Sequence, residues 1–300
     1  MSIRSIYFYV SVVFLLVGVV FATQLIQTAV DYKGARERYA QELYFKDRMF
    51  SAEEWVPSQD GNPRLERAKQ MQLGLETQQS KLWQRLLMCL AVLGAYGIFI
   101  LLHYRRTKNR SQLAFGFIAL SIICLYIGLF SPMLEIAAYE RDLDLGKIPI
   151  RTKVYGFDVN FDFEKKFEGD LYFYYQSKSV VELIQLLFQQ RNWVVAISIL
   201  AFSILFPLSK IFVTLISSFK TSFARRKWAK LILLKSGKWS MADVFVAAMF
   251  LSFLAFSNMQ IGIKTDSNAL PGLYFFLAYC ILSIGVSAIL EPKLKDELEA

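Results

Sequence analysis

Trp193-Val-Val-Ala-Ile-Ser-Ile-Leu-Ala-Phe-Ser203-Ile-Leu-Phe-Pro207-Leu-Ser-Lys210-Ile-Phe-Val-Thr-Leu-Ile-Ser217 is apolar from end to end, broken only by one proline, a few hydroxyls and one lysine. At ~1.5 Å per helical residue, ~20 such residues cross a ~30 Å hydrocarbon core. The stretch therefore reads as a transmembrane helix with length to spare. Directly after it, Ser218–Ser240 carries Lys220, Arg225, Arg226, Lys227, Lys230, Lys235 and Lys238 and no acid. Basic charge beside a span marks the cytoplasmic side.

Working outward, five more blocks have the same character: Ile6–Ala22, Leu86–His103, Leu113–Phe130, Met241–Phe256 and Ala269–Leu290. Six spans predict an all-α integral membrane protein. The first and fifth blocks are short and must borrow flanking residues or thin the bilayer. The first reads as an uncleaved signal anchor, because its apolar core is long for a signal peptide and no small-x-small site follows it convincingly. The segment Tyr104–Ser111 holds Arg105, Arg106, Lys108 and Arg110, again without an acid. With an even number of spans, both termini fall in the cytoplasm. The whole-chain net charge of +9 lies almost entirely on that face, so topology and anionic lipid explain it without nucleic acid.

Composition agrees. Hydrophobic residues make up 55% and charged residues 20%, too apolar for a soluble domain or for disorder. Cys89, Cys124 and Cys280 lie in apolar runs without paired spacing, which excludes a disulfide scaffold or a zinc ribbon. His103 is the sole histidine, so no multi-histidine metal site is possible. It ends a span and reads as an interfacial residue rather than a proton carrier. No nucleotide-binding or hydrolase motif is present, so neither an enzyme nor a cofactor is expected.

Two segments face outward. In the first, Asn62-Pro63 is an N-cap followed by proline at the first helical position. A helix starting there runs unbroken to His103. Val30–Phe50 also reads helical and Pro57–Gly61 as a turn. A helical hairpin standing off the membrane follows, serving either as a solvated spacer or as a docking arm. In the second segment, Phe157-Asp-Val-Asn-Phe-Asp-Phe163 alternates with period two. Leu171–Gln176 is rich in aromatics and follows the turn Glu168-Gly169-Asp170. These predict a small β-hairpin or sheet. Ser179–Gln190 then forms an amphipathic helix, with Glu182, Gln185 and Gln189 on one stripe.

The polar residues within the spans are the candidate site. Pro207 removes a backbone donor and should kink its helix. Ser203 lies two turns before Lys210 on nearly the same face. In the fifth span, Ser240 and Asp243 share a face. An ionised group at mid-span costs ~2.5–3.5 kcal/mol on insertion scales. Lys210 and Asp243 have opposite charge and matched depth on sequential antiparallel helices, so pairing would reduce both penalties. Such a pair is either a structural staple, with snorkelling of Lys210 as a variant, or part of a polar cavity for substrate passage or proton coupling.

From Leu113 to Pro292 the chain resembles the paraquat-inducible protein A family, integral proteins of bacterial inner membranes. The resemblance rests on Phe130-Ser-Pro132-Met-Leu-Glu-Ile136 at a span exit, on Ser177-Lys-Ser-Val-Val-Glu-Leu-Ile-Gln-Leu-Leu187 before the next span, and on Phe202–Lys210 within it. Most specific is Gly237-Lys-Trp239-Ser240-Met-Ala-Asp243-Val-Phe245, similar to the family's Trp-Ser-Met-x-Asp-Val-Phe signature. The resemblance implies a four-helix, tetraspanin-like module whose polar positions are Ser203, Lys210, Ser240 and Asp243. Members often operate beside MCE-domain proteins that form periplasmic tunnels for lipid. This chain departs from the better-known members in having one module rather than two, no zinc ribbons, and an added N-terminal anchor and hairpin. A single module implies dimerisation if the two-module arrangement is to be reproduced.

The expected organisation is a signal-anchor helix (1–27), an outward helical hairpin (28–85), a second span with a basic loop (86–112), the module (113–292, outward loop 131–192) and a cytoplasmic tail (293–300). The expected function is an inner-membrane component that passes phospholipid between the bilayer and an extracytoplasmic, MCE-type partner. The competing readings are a scaffold or stress-response assembly factor without substrate, and a proton-coupled small-solute transporter.

Overall fold

The computed structural model describes residues 3–51, 54, 62–154, 157–219, 248 and 264–299. Helix α1, Ile3–Glu42, crosses the expected boundary between residues 27 and 28 without a break. A short helix α2, Phe45–Met49, turns the chain. Helix α3, Pro63–Thr107, begins as the sequence predicts, with the Asn62 side chain accepting from the Arg64 N–H at 3.0 Å and proline at the first position. It ends at Lys108, whose left-handed backbone lets its N–H reach the Tyr104 carbonyl. Asn109 at once caps helix α4, Arg110–Phe130, so α3 and α4 are antiparallel neighbours. Ser131-Pro132 stops α4, since proline disfavours the helical region for the residue before it.

Five of the described helical segments are long and apolar enough to cross a membrane: Tyr7–Glu42, Pro63–Thr107, Arg110–Phe130, Trp193–Ile216 and Pro271–Ile289. The sixth expected block, Met241–Phe256, falls largely outside the described residues. Helix α4 is the hub. About two thirds (67%) of its apolar window is buried, against 28% and 22% in α1 and α3. Its Ile123, Ile127 and Leu129 meet Leu25 of α1, Cys89 and Ile100 of α3, and Phe276 and Tyr279 of the last helix, α8 (Pro271–Glu299). The outer faces of α1 and α3 expose Val13, Leu16, Leu87, Ile98 and Leu102, an apolar surface suited to lipid. The anchor pair is thus not a separate appendage. It packs on the hub, and Tyr96 of α3 ties it by donating to Ser11 of α1 at 2.9 Å while stacking on Phe14.

A close approach between α4 and α8 depends on a glycine. A Cβ on Gly128 would lie 2.9 Å from the Phe276 backbone. Gly128→Val is expected to lose ~1–3 kcal/mol by overpacking, read as a lower melting temperature in detergent. Gly97→Ala, where a Cβ meets nothing within 4 Å, should be neutral or slightly stabilising.

Beyond Pro132 the expected β structure is present but wired differently. Strand β1 is Leu134–Arg141, β2 Asp144–Val154, β3 Phe157–Lys166, β4 Asp170–Lys178 and β5 Lys264–Ala269. The Phe157–Phe163 and Leu171–Gln176 runs are both strands, and Gly169 supplies the positive φ (78°) of the turn between them. They do not pair with each other. β3 pairs with β2 in a two-stranded ribbon, and β4 pairs with β1, which also pairs with β5, all antiparallel. Strand β5, Lys-Thr-Asp-Ser-Asn-Ala, has no apolar alternation. Its stability comes from backbone pairing along β1, to which side-chain periodicity is blind.

The helical hairpin does not stand free. Tyr39 and Ala40 of α1, Leu43 just beyond it, and Ala68 and Leu75 of α3 bury against Ala137 and Tyr172 of the sheet. Arg48 of α2 is fully buried. Its Nε lies 2.5 Å from Glu54 Oε1, its Nη1 and Nη2 donate to the carbonyls of Asp170 and Glu168 at 3.2 and 3.0 Å, and its guanidinium lies over the Phe167 ring. The arm thereby clamps both sides of the Gly169 turn. Helix α5, Val180–Gln189, is tied to the arm as well. Ser179 and Glu182 form a reciprocal capping box, and Lys33 of α1 donates to both Glu182 carboxylate oxygens. Burial pushes the Glu182 pKa up, but the Lys33 and Ser179 hydrogen bonds outweigh it and hold it below the ordinary carboxylate value. The arm and the sheet form one cap over the helices.

Candidate functional site

The expected intramembrane site lies on the helix that follows α5. Helix α6, Trp193–Leu200, passes through a π-helical turn, Ala201–Leu205, into α7, Phe206–Phe219. Sequence predicts a kink at Pro207, and the irregularity sits just before it. The Phe206 N–H bonds back to the Ala201 carbonyl. Pro207 has no N–H with which to continue the ladder. Wide turns of this kind recur where a helix serves a site. Ser203 lies inside the turn, fully buried, its hydroxyl without a hydrogen-bond partner among the described residues.

Two turns further, Lys210 is buried at 5% exposure and donates to the Ser283 carbonyl of α8 at 3.1 Å. Thr214 returns a hydrogen bond to the Lys210 carbonyl at 2.6 Å, and Ser287 donates to the same Ser283 carbonyl at 3.1 Å. The structure thus brings Lys210 onto α8 and adds Thr214, Ser283 and Ser287 to its surroundings. Sequence reading overlooked these three, because a hydroxyl in an apolar helix is most often satisfied by its own backbone. Trp239, Ser240 and Asp243 lie outside the described residues. His103 is a ring-stacking residue, 4.4 Å from the Tyr7 ring centroid, with Nε2 3.0 Å from Gln112 Oε1.

A second feature was not foreseen. Where the cap meets the helices there is a cavity of about 700 Å³, within the range of ligand sites. Its apolar wall comes from Leu82, Leu86 and Leu90 of α3 and Phe275 and Ala278 of α8, with Trp83 and Tyr274 at its margin. Both Trp83 (57% exposed) and Tyr274 (56%) face outward, where aromatic residues of a membrane interface belong. Helix α3 packs chiefly on α1 and α8 chiefly on α4, so the cavity occupies the gap left between α3 and α8.

Its polar wall is an ion pair. Arg36 Nε of α1 donates to Glu135 Oε1 of β1 at 3.1 Å, and the Glu135 side chain is only 3% exposed. Glu135 is flanked in register by Asn268 of β5 and Ser177 of β4, so the three share one face of the sheet. The hydroxyls of Ser177 and of Tyr175, on that same face, are buried without partners among the described residues. Burial, then the Glu135 charge, pushes the Tyr175 phenol upward, keeping it neutral. Glu135 lies within the Phe130–Ile136 motif and is the motif's one acid, which was the available signal. Nothing in the sequence joins it to Arg36, 99 residues away.

Comparison with known families bears on the second half of the chain. Residues 169–295 match the sequence profile described as paraquat-inducible protein A. This part of the chain is similar to the paraquat-inducible protein A family. The family segment starts at the Gly169 turn and contains β4, the helices bearing Ser203, Pro207 and Lys210, the positions of Trp239, Ser240 and Asp243, strand β5 and most of α8. It leaves out α1, α3, the hub helix α4 and β1. The cavity joins the two parts, with Asn268, Tyr274 and Phe275 from the family segment and Arg36, Leu82 and Glu135 from outside it. No curated protein and no solved structure matches the chain.

Proposed function

We propose that this chain is a non-enzymatic lipid-handling component of a bacterial inner membrane, passing phospholipid between the bilayer and an extracytoplasmic partner of the MCE type. The observation that carries this reading is the interfacial cavity. Apolar helix surface forms its membrane-side wall, an ion pair forms its cap-side wall, and it sits at the gap between two lipid-facing helices. That is the order of surfaces a phospholipid presents, chains below and headgroup above. Similarity of this segment to the family supports a membrane role. The polar positions Ser203, Lys210, Ser240 and Asp243 would then couple or gate passage, and a second copy of the chain would supply the paired arrangement.

The test is co-purification. The chain extracted in mild detergent should retain phospholipid in stoichiometric amount. Leu86→Trp, which fills the apolar wall, should lower that amount by at least half while leaving the elution volume unchanged. Retention unaffected by filling the cavity would turn the reading toward a scaffold without substrate.

The topology has its own measurement. Cysteines placed at Lys227 and at Gly61 should react with an impermeant maleimide from opposite sides of sealed membranes. Labelling of both from the outside would overturn the arrangement with cytoplasmic termini.

A further inference from the structure

We propose that the cavity selects a zwitterionic phospholipid whose headgroup carries a primary ammonium, of the phosphoethanolamine type. The inference rests on the lipid-handling reading and names its substrate class. It starts from the two charges on the polar wall. Glu135 is almost wholly buried, and Arg36 is its ion-pair partner at 3.1 Å. A phosphate entering the cavity would draw on the guanidinium, the fork geometry that best matches phosphate oxygens. Doing so loosens the Arg36 hold on Glu135. A buried carboxylate stripped of its cation is strongly disfavoured.

A headgroup that brings only negative charge creates that penalty, and one that also brings a cation removes it. In a zwitterionic headgroup the phosphate takes Arg36 and the ammonium takes Glu135, so one internal ion pair is exchanged for two with the ligand. The kind of cation matters too. Glu135 loses an N–H donor, and a primary ammonium returns up to three. A quaternary ammonium returns none. The neighbouring groups fit an amine-bearing guest. Asn268 lines the cavity beside Glu135, and its amide oxygen is a further acceptor for an ammonium. The aliphatic wall of Leu82, Leu86 and Leu90 makes the ligand a lipid rather than the free headgroup.

The experiment is a competition on the full-length chain, purified in detergent and stripped of endogenous lipid. Short-chain phospholipids with identical acyl chains and ethanolamine, choline or glycerol headgroups are offered at equal concentration, with soluble phosphoethanolamine in a fourth arm. Bound species are counted by native mass spectrometry. The ethanolamine lipid is expected to exceed the glycerol lipid by ~10-fold, about 1.4 kcal/mol, and to exceed the choline lipid. Soluble phosphoethanolamine should fail to compete. Glu135→Gln should erase the preference for ethanolamine over glycerol while lipid is still bound, and Arg36→Gln should weaken all three lipids. Melting temperatures report whether the variants fold, and the wild-type competition stands whatever they show. Equal binding of the ethanolamine and glycerol lipids overturns the headgroup assignment alone. Equal binding of the choline lipid overturns the role of the N–H donors. Competition by soluble phosphoethanolamine overturns the lipid as ligand, and absence of any bound lipid overturns the proposed function with it.

Discussion

Replacing Arg48 with Met is expected to cost ~3–5 kcal/mol, because it strands a buried carboxylate on Glu54 and leaves two carbonyls of the Gly169 turn without their donor. Arg48 and Glu54 are both buried, and the clamp reaches the Glu168 and Asp170 carbonyls from the arm. The effect should be local. Proteolysis of the intact chain should become faster at the arm and at the 142–170 region, while the helix core around Ile123 and Phe276 keeps its resistance. Pairing Arg48→Met with Glu54→Leu should recover much of the loss, since replacing both partners with apolar groups is often neutral. If Arg48→Met leaves proteolysis and melting unchanged, the arm is not fastened where the geometry places it. The same contacts mean that deleting residues 30–64 would unfold the cap rather than trim a spacer. Of the two readings of the hairpin, the solvated spacer does not fit the buried Tyr39, Leu43 and Arg48.

The second large effect is expected at Lys210. Lys210→Met removes a buried ammonium that reaches the Ser283 carbonyl across two helices. With Asp243 as its counter-charge, the pairing expected from the sequence, the single change strands a carboxylate and costs ~3–5 kcal/mol. Combining it with Asp243→Leu should restore the melting temperature. The two roles of the pair separate at that double variant. A staple predicts that complementation of an envelope-barrier defect returns together with stability. A polar cavity that gates or couples passage predicts restored stability with complementation still absent, and this is the outcome we expect. The Ser203 hydroxyl in the π-helical turn, without a partner among the described residues, favours it, because a purely structural staple gives no reason to bury a hydroxyl unsatisfied two turns away. Full rescue of both readouts would end the functional claim. Unchanged stability in the single variants would end the pairing itself.

What the sequence determined by itself follows from short-range rules. Length and hydropathy marked the spans, since crossing a bilayer requires an unbroken apolar run. Asn62-Pro63 set the start of α3, and the cap geometry agrees atom for atom because capping involves only neighbours along the chain. Pro207 announced a broken helix, and Gly169 announced a turn, each through its own backbone restriction. The sequence also pointed to Lys210 and Ser203, because polar groups inside an apolar helix stand out. Tertiary structure alone decided the rest. Which strands pair is a choice among partners far apart in sequence, and β5 shows that a strand with no apolar alternation forms when β1 offers it a ladder. Arg36 meets Glu135, Lys33 meets Glu182 and Arg48 meets the Gly169 turn across 99 to 149 residues of chain. Each of these charges looks like an ordinary surface residue in the sequence, and each is hidden by packing between elements. The cavity belongs to the same class. Its walls come from α1, α3, β1, β5 and α8, and a gap between helices exists only once the helices have been placed around the hub.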